Sequence, residues 1–145
     1  MKWVAVFVCA LSLGGCVASE TSVNNDYVDE VNRIQTEGTE RSKELAGQLE
    51  NADSRAETVA ALDGGIQATA DAREQLEALD PPEEVADLHQ QIIDLNRESE
   101  NVAQDIKDAY IDGDDAALRA ATQKLAHVGP QLLQLISEIN DKLAS

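Results

Sequence analysis

The sequence predicts an all-α fold, an antiparallel up-down bundle of four helices. Three observations carry that reading. From Asp26 onward apolar residues recur at spacings of three and four, the period of one face of a helix. No stretch alternates as a half-buried strand does, and the β-branched residues do not cluster. Helix stop and start signals punctuate the chain at Ser54-x-x-Glu57, at Asp80-Pro81-Pro82-Glu83 and at Asp112-Gly113-Asp114.

The first helix is expected over about residues 26–52, with Tyr27, Val31, Ile34, Leu45 and Leu49 on its apolar face. Its middle is thin, because Gly38, Arg41 and Ser42 fall on that same face. Ser54 and Glu57 have the spacing of a capping box, so a second helix starts at Ser54. It carries Val59, Leu62, Ile66, Thr69, Leu76 and Leu79, and Gly64-Gly65 weakens it by about 1 kcal/mol per glycine relative to alanine. Pro81 suits a first helical position, with Asp80 as N-cap, so the third helix is expected from Pro81. Its heptad is regular, with Val85, Leu88, Ile92, Leu95, Ser99, Val102, Ile106 and Ala109. Gly113 closes it in the left-handed conformation, and the flanking aspartates favour the next N-terminus. The fourth helix carries Leu118, Ala121, Leu125, Val128, Leu132, Leu135, Ile136, Ile139 and Leu143. Pro130 lies off that stripe and predicts a kink on the outer face rather than a break. An alternative remains: the apolar phase continues through Leu49, Ala52, Ala56 and Val59, so one long helix in a three-helix bundle would also satisfy the pattern.

Ahead of the bundle, Lys2 precedes an apolar run from Trp3 to Leu13. Its 11 residues are short of the roughly 20 that span a bilayer, and the run has the character of a signal-peptide core. Leu13-Gly14-Gly15-Cys16 follows: an aliphatic residue, two small residues, then cysteine. This segment resembles the lipobox of bacterial lipoproteins. The resemblance implies cleavage between Gly15 and Cys16, and acylation of the Cys16 thiol and then of its new amine. Two acyl chains make a stable anchor where one is marginal. It also implies export to the outer face of the bacterial cell membrane, or to the outer membrane in a diderm. Val17 stands where an aspartate would retain some such proteins at the inner membrane. Residues 1–15 are thus expected to be a signal peptide, 16–25 the lipidated cysteine and a polar tether, and 26–145 an acidic helical bundle. Around the second stop signal, Leu76, Pro81-Pro82, Glu83 and Leu88-His89 are similar to a pattern in small Ala-rich helical lipoproteins of high-GC bacteria. That likeness implies architecture and anchoring, and no activity.

The chain of 145 residues has a net charge of −17. Without residues 1–15 it has 10 basic against 28 acidic residues, or −18. Such a surface repels phosphate backbones and excludes nucleic acid as a partner. Cys9 leaves with the signal peptide and Cys16 is taken by lipid, so no thiol is left for a disulfide, a metal or catalysis. Met1, Trp3 and Phe7 also leave, so Tyr27 and Tyr110 are the aromatics that remain. Stacking platforms and large interface anchors are correspondingly scarce.

His89 and His127 are the candidates for metal ligation, with His89 the weak one worth naming. A di-iron bundle site needs Glu-x-x-His pairs, and residues 86 and 124 are alanine and lysine. On the heptad, His89 flanks the core and His127 points away from it. Asp112-x-Asp114-Asp115 lacks the glycine and glutamate of a calcium loop, since residues 117 and 123 are alanine and glutamine. No catalytic residues, metal or cofactor are expected. The sequence therefore points to a lipid-anchored, non-catalytic helical protein of the cell envelope, acting on an envelope protein or as a structural component. Two alternatives stand beside it: a carrier of a small apolar ligand in a core thinly filled by Ala and Gly, and a metal-binding bundle. A preformed cavity lined by Leu and Ile would favour the carrier; a filled core with a concentrated surface patch would favour the interaction module.

Overall fold

The computed structural model describes residues 20–144. The signal peptide, Gly15, Cys16 and the first part of the tether lie outside the described residues. Four helices follow one another: α1 over Glu20–Glu50, α2 over Arg55–Glu77, α3 over Ala86–Asp112 and α4 over Asp115–Leu143. There is no strand among the described residues, and no described helix is long and apolar enough to cross a membrane. Each helix packs on its sequence neighbours, and α1 closes the ring against α4. Ion pairs and contacts fix the antiparallel sense. Arg73 reaches Glu100 while Lys107 reaches Asp63, and Arg33 reaches Gln75 while Leu45 lies against Gly65.

Two boundaries follow the sequence signals closely. At the head of α2, Ser54 Oγ accepts the Glu57 N–H at 3.2 Å and Glu57 Oε2 accepts the Ser54 N–H at 3.1 Å. This reciprocal cap satisfies orphan donors at the helix start, so α1 and α2 are separate helices. At the end of α3, Gly113 has φ 73°, and the Asp114 N–H returns to the Ala109 carbonyl at 2.9 Å. Asp114 then caps α4, its Oδ1 accepting from the Ala116 and Ala117 amides at 3.0 Å. Asp114 thus serves the helix, as an N-cap residue does.

Elsewhere the expected boundaries need correction. α1 starts at Glu20 rather than Asp26, so residues 20–25, expected as part of a tether, are helical. α3 does not begin at Pro81 with Asp80 as its cap. Pro81 is itself followed by a proline, which disfavours helical backbone at residue 81. Pro82 is extended at φ −54° and ψ 144°, a single 3₁₀ turn spans Glu83–Val85, and the α-helix begins at Ala86. The apolar face of α3 is also wider than one heptad stripe. Val85, His89, Ile92, Ile93 and Asn96 are buried in its first half, while Leu88, Leu95, Ser99 and Ile106 are half-buried.

The core lies at one end of the bundle. Tyr27, Val31 and Ile34 of α1 meet Leu76, Val85, Ile92, Ile93, Ile136 and Ile139 there, with Leu88, Leu132 and Leu135 packed around them. Val85 and Ile139 are completely buried, and Val31 and Ile92 nearly so.

Candidate functional site

Away from that cluster the buried side chains are mostly small, with Ala61, Val102, Ala109 and Ala121 among them, and the bundle is incompletely filled. A cavity of about 810 Å³ runs between the four helices. Its walls hold Leu45 and Leu49 of α1, Leu62 and Leu76 of α2, Leu95 and Ile106 of α3, and Leu125, Leu132 and Leu133 of α4. α1 touches α4 least of any adjacent pair of helices, and the cavity opens as a slot alongside them. The cause is legible in side-chain size. Gly38, Gly64 and Gly129 line the slot from three helices, and a Cβ added at any of them would meet nothing within 4 Å. The thin middle of α1 expected from Gly38, Arg41 and Ser42 is one wall of this space. α4 stays helical through Pro130, as expected, and the proline is exposed at the rim of the slot.

Gly65 is different from the other glycines. Its Cβ would lie 2.6 Å from Leu45 Cδ2, so here the missing side chain permits a close crossing of α1 and α2. Leu45 is held over the slot by that contact.

Polar groups are unevenly distributed around the cavity. Most lie on α1: Gln35, Thr39, Arg41, Ser42, Glu44 and Gln48. Arg41 and Glu44, three residues apart, are the ionisable residues of the lining and offset each other's charge. On the other helices, Thr69 is spent on the Gly65 carbonyl and Thr122 on the Leu118 carbonyl. Ser99 makes no hydrogen bond among the described residues, and Asn96 is the buried polar residue of the lining. It is 7% exposed and its Nδ2 donates to the Ile92 carbonyl at 2.9 Å.

His89 sits outside the slot and inside the core, which corrects its expected place on the flank. The apolar face of α3 extends to it because Tyr27 of α1 covers the ring. The Tyr27 hydroxyl lies 2.9 Å from His89 Nδ1, with the two rings edge to face at 5.8 Å. The backbone of Leu76 bonds the imidazole as well. Burial holds the His89 pKa below its ordinary value, and burial pushes the Tyr27 phenol up to about 12. In the neutral ring so favoured, Nδ1 accepts the phenolic proton. Among the described residues no three His, Cys, Asp or Glu side chains gather as metal ligands, so His89 faces a tyrosine and a backbone rather than a ligand set. His127 is exposed, as expected, its Nδ1 2.7 Å from the Gln123 carbonyl oxygen.

Sequence reasoning found the weak wall of α1 and offered a slot only as an alternative, without its lining. The missing signal was joint: three glycines on three helices face one space, and no single helix pattern reports that. The chain matches no family model, no curated protein and no solved structure.

Proposed function

We propose that the protein is an exported, lipid-anchored and non-enzymatic bundle that carries a small apolar molecule in the slot between its helices. The observation that carries this reading is the cavity of about 810 Å³ with walls mainly of leucine, isoleucine, valine and alanine. Ligand cavities usually run from about 300 to 1,000 Å³ and are mostly apolar with a few placed polar groups. An empty apolar cavity costs stability in proportion to its volume, so a bundle that keeps one forgoes packing it could have had. The interaction module expected a filled core and a concentrated surface patch instead. The large apolar side chains exposed among the described residues are Ile111 and Leu133, and Leu133 belongs to the slot.

Anchoring through Cys16 rests on the lipobox-like segment and has its own test. Cys16→Ser removes the acyl acceptor, so the variant is expected to take up no labelled palmitate and to leave the membrane fraction or stay unprocessed. Undiminished labelling would remove the lipoprotein assignment. For the slot, titration of the full chain with the uncharged probe N-phenyl-1-naphthylamine is expected to give a saturable rise in fluorescence at one probe per chain. A linear, unsaturable response at all concentrations would remove the carrier reading.

A further inference from the structure

The shape and the single buried polar group of the slot restrict what it takes. Residues 31 to 49 of α1 line it, and 18 steps of about 1.5 Å give a length of about 27 Å. Spread over that length, 810 Å³ leaves a mean section of about 30 Å². That is room for an extended hydrocarbon chain laid along the slot.

Charge narrows the class further. Of the chain's 28 acidic and 11 basic residues, Glu44 and Arg41 line the slot, one of each sign and a turn apart. A charged headgroup finds no net counter-charge there, and both signs are left to water.

Asn96 then supplies the recognition. Its side chain is more than nine-tenths buried and lines the slot. The Ile92 carbonyl can only accept, which fixes the amide with Nδ2 towards it. Oδ1 accepts no hydrogen bond among the described residues. Ser99, one turn further along α3, is half-buried in the same wall, and its hydroxyl also makes no bond among the described residues. Oδ1 is unbonded and not sealed off, so a ligand hydroxyl lying in the slot finds an acceptor there. A carboxylate has no donor to offer and would be set against the Oδ1 lone pairs.

Resting on the carrier reading, we propose that the ligand is a long-chain, uncharged molecule with a hydroxyl group, lying along the slot and donating to Asn96 Oδ1. Displacement of bound N-phenyl-1-naphthylamine from the full chain tests this with three competitors of equal length: 1-hexadecanol, its methyl ether, and palmitate. The alcohol is expected to compete at least tenfold better than either of the others. In Asn96→Leu the advantage of alcohol over ether is expected to vanish, while the probe still binds. Equal competition by alcohol and ether on the unaltered chain would overturn the proposal without any variant, as would palmitate competing best; both leave the carrier reading standing. Failure of the probe and of all three competitors to bind would remove the carrier reading and the proposal together.

Discussion

Two glycines that look alike in the sequence behave oppositely in the fold. A Cβ at residue 38 meets open space, and glycine in a helix interior is about 0.5–1 kcal/mol worse than alanine. Gly38→Ala is therefore expected to raise the melting temperature by a few degrees. Gly65→Ala gains the same propensity but must push Leu45 aside, so thermal melts should show no gain or a loss. Tyr27 and His89 make a second residue-scale test. Tyr27→Phe leaves His89 Nδ1 without its donor and is expected to cost about 1–3 kcal/mol in chemical denaturation, the penalty of an unmet buried group. The pH dependence has a definite sign at both ends. The folded state resists protonating His89, so an unfolded chain takes up a proton first as pH falls below about 6.5. That contribution to stability is present above pH 6.5 and is lost below it. The Tyr27 phenol runs the other way: its contribution is complete below about pH 10 and is lost as pH rises towards 12. An NMR titration in which the His89 ring resonances shift at or above the ordinary midpoint would contradict this.

At the scale of the element, caps were more legible than faces. The capping box at Ser54 and the left-handed Gly113 both depend on a few adjacent residues, and the structure places them where local chemistry does. Ser54→Ala is expected to cost about 1 kcal/mol by urea denaturation, with a loss of helix content confined to the start of α2. Faces depend on partners. The heptad of α3 was readable, yet His89 and Asn96 are as buried as the heptad's own core positions because α1 and the slot reach them. Leu88 was the natural choice for a core residue from its register, but it is half-buried, while Ile92 is 1% exposed. Ile92→Ala is accordingly expected to cost about 2–5 kcal/mol and Leu88→Ala distinctly less. The start of α3 failed for a local reason that a closer reading of the dipeptide supplies: a proline before a proline is not helical.

For the whole molecule, charge and packing act against each other. The chain's net charge is −17, and among the described residues ion pairs within and between helices relieve part of it. Arg33 bonds Glu30 and Glu37 along α1, and its guanidinium holds the Glu30 carboxyl below the ordinary range. Arg73 links Glu77 on its own helix to Glu100 on α3. Moderate salt weakens such pairs but screens the larger net repulsion, so sodium chloride is expected to raise the melting temperature. A fall on adding salt would show that the pairs outweigh the repulsion. The bundle itself followed from helical period, whereas the slot stood only as an alternative, since a cavity is a property of four faces at once.

A molecule seated in the slot must leave when the slot is blocked. Ser99 faces the cavity on α3 with its hydroxyl unbonded among the described residues, so Ser99→Phe places a ring in space that is already empty. Titration of both chains with N-phenyl-1-naphthylamine, alongside their thermal melts, is the measurement. Saturable one-to-one binding is expected of the unaltered chain, with at least tenfold weaker binding by Ser99→Phe and a melting temperature for the variant that is unchanged or higher. Equal probe binding by the two folded chains would contradict it.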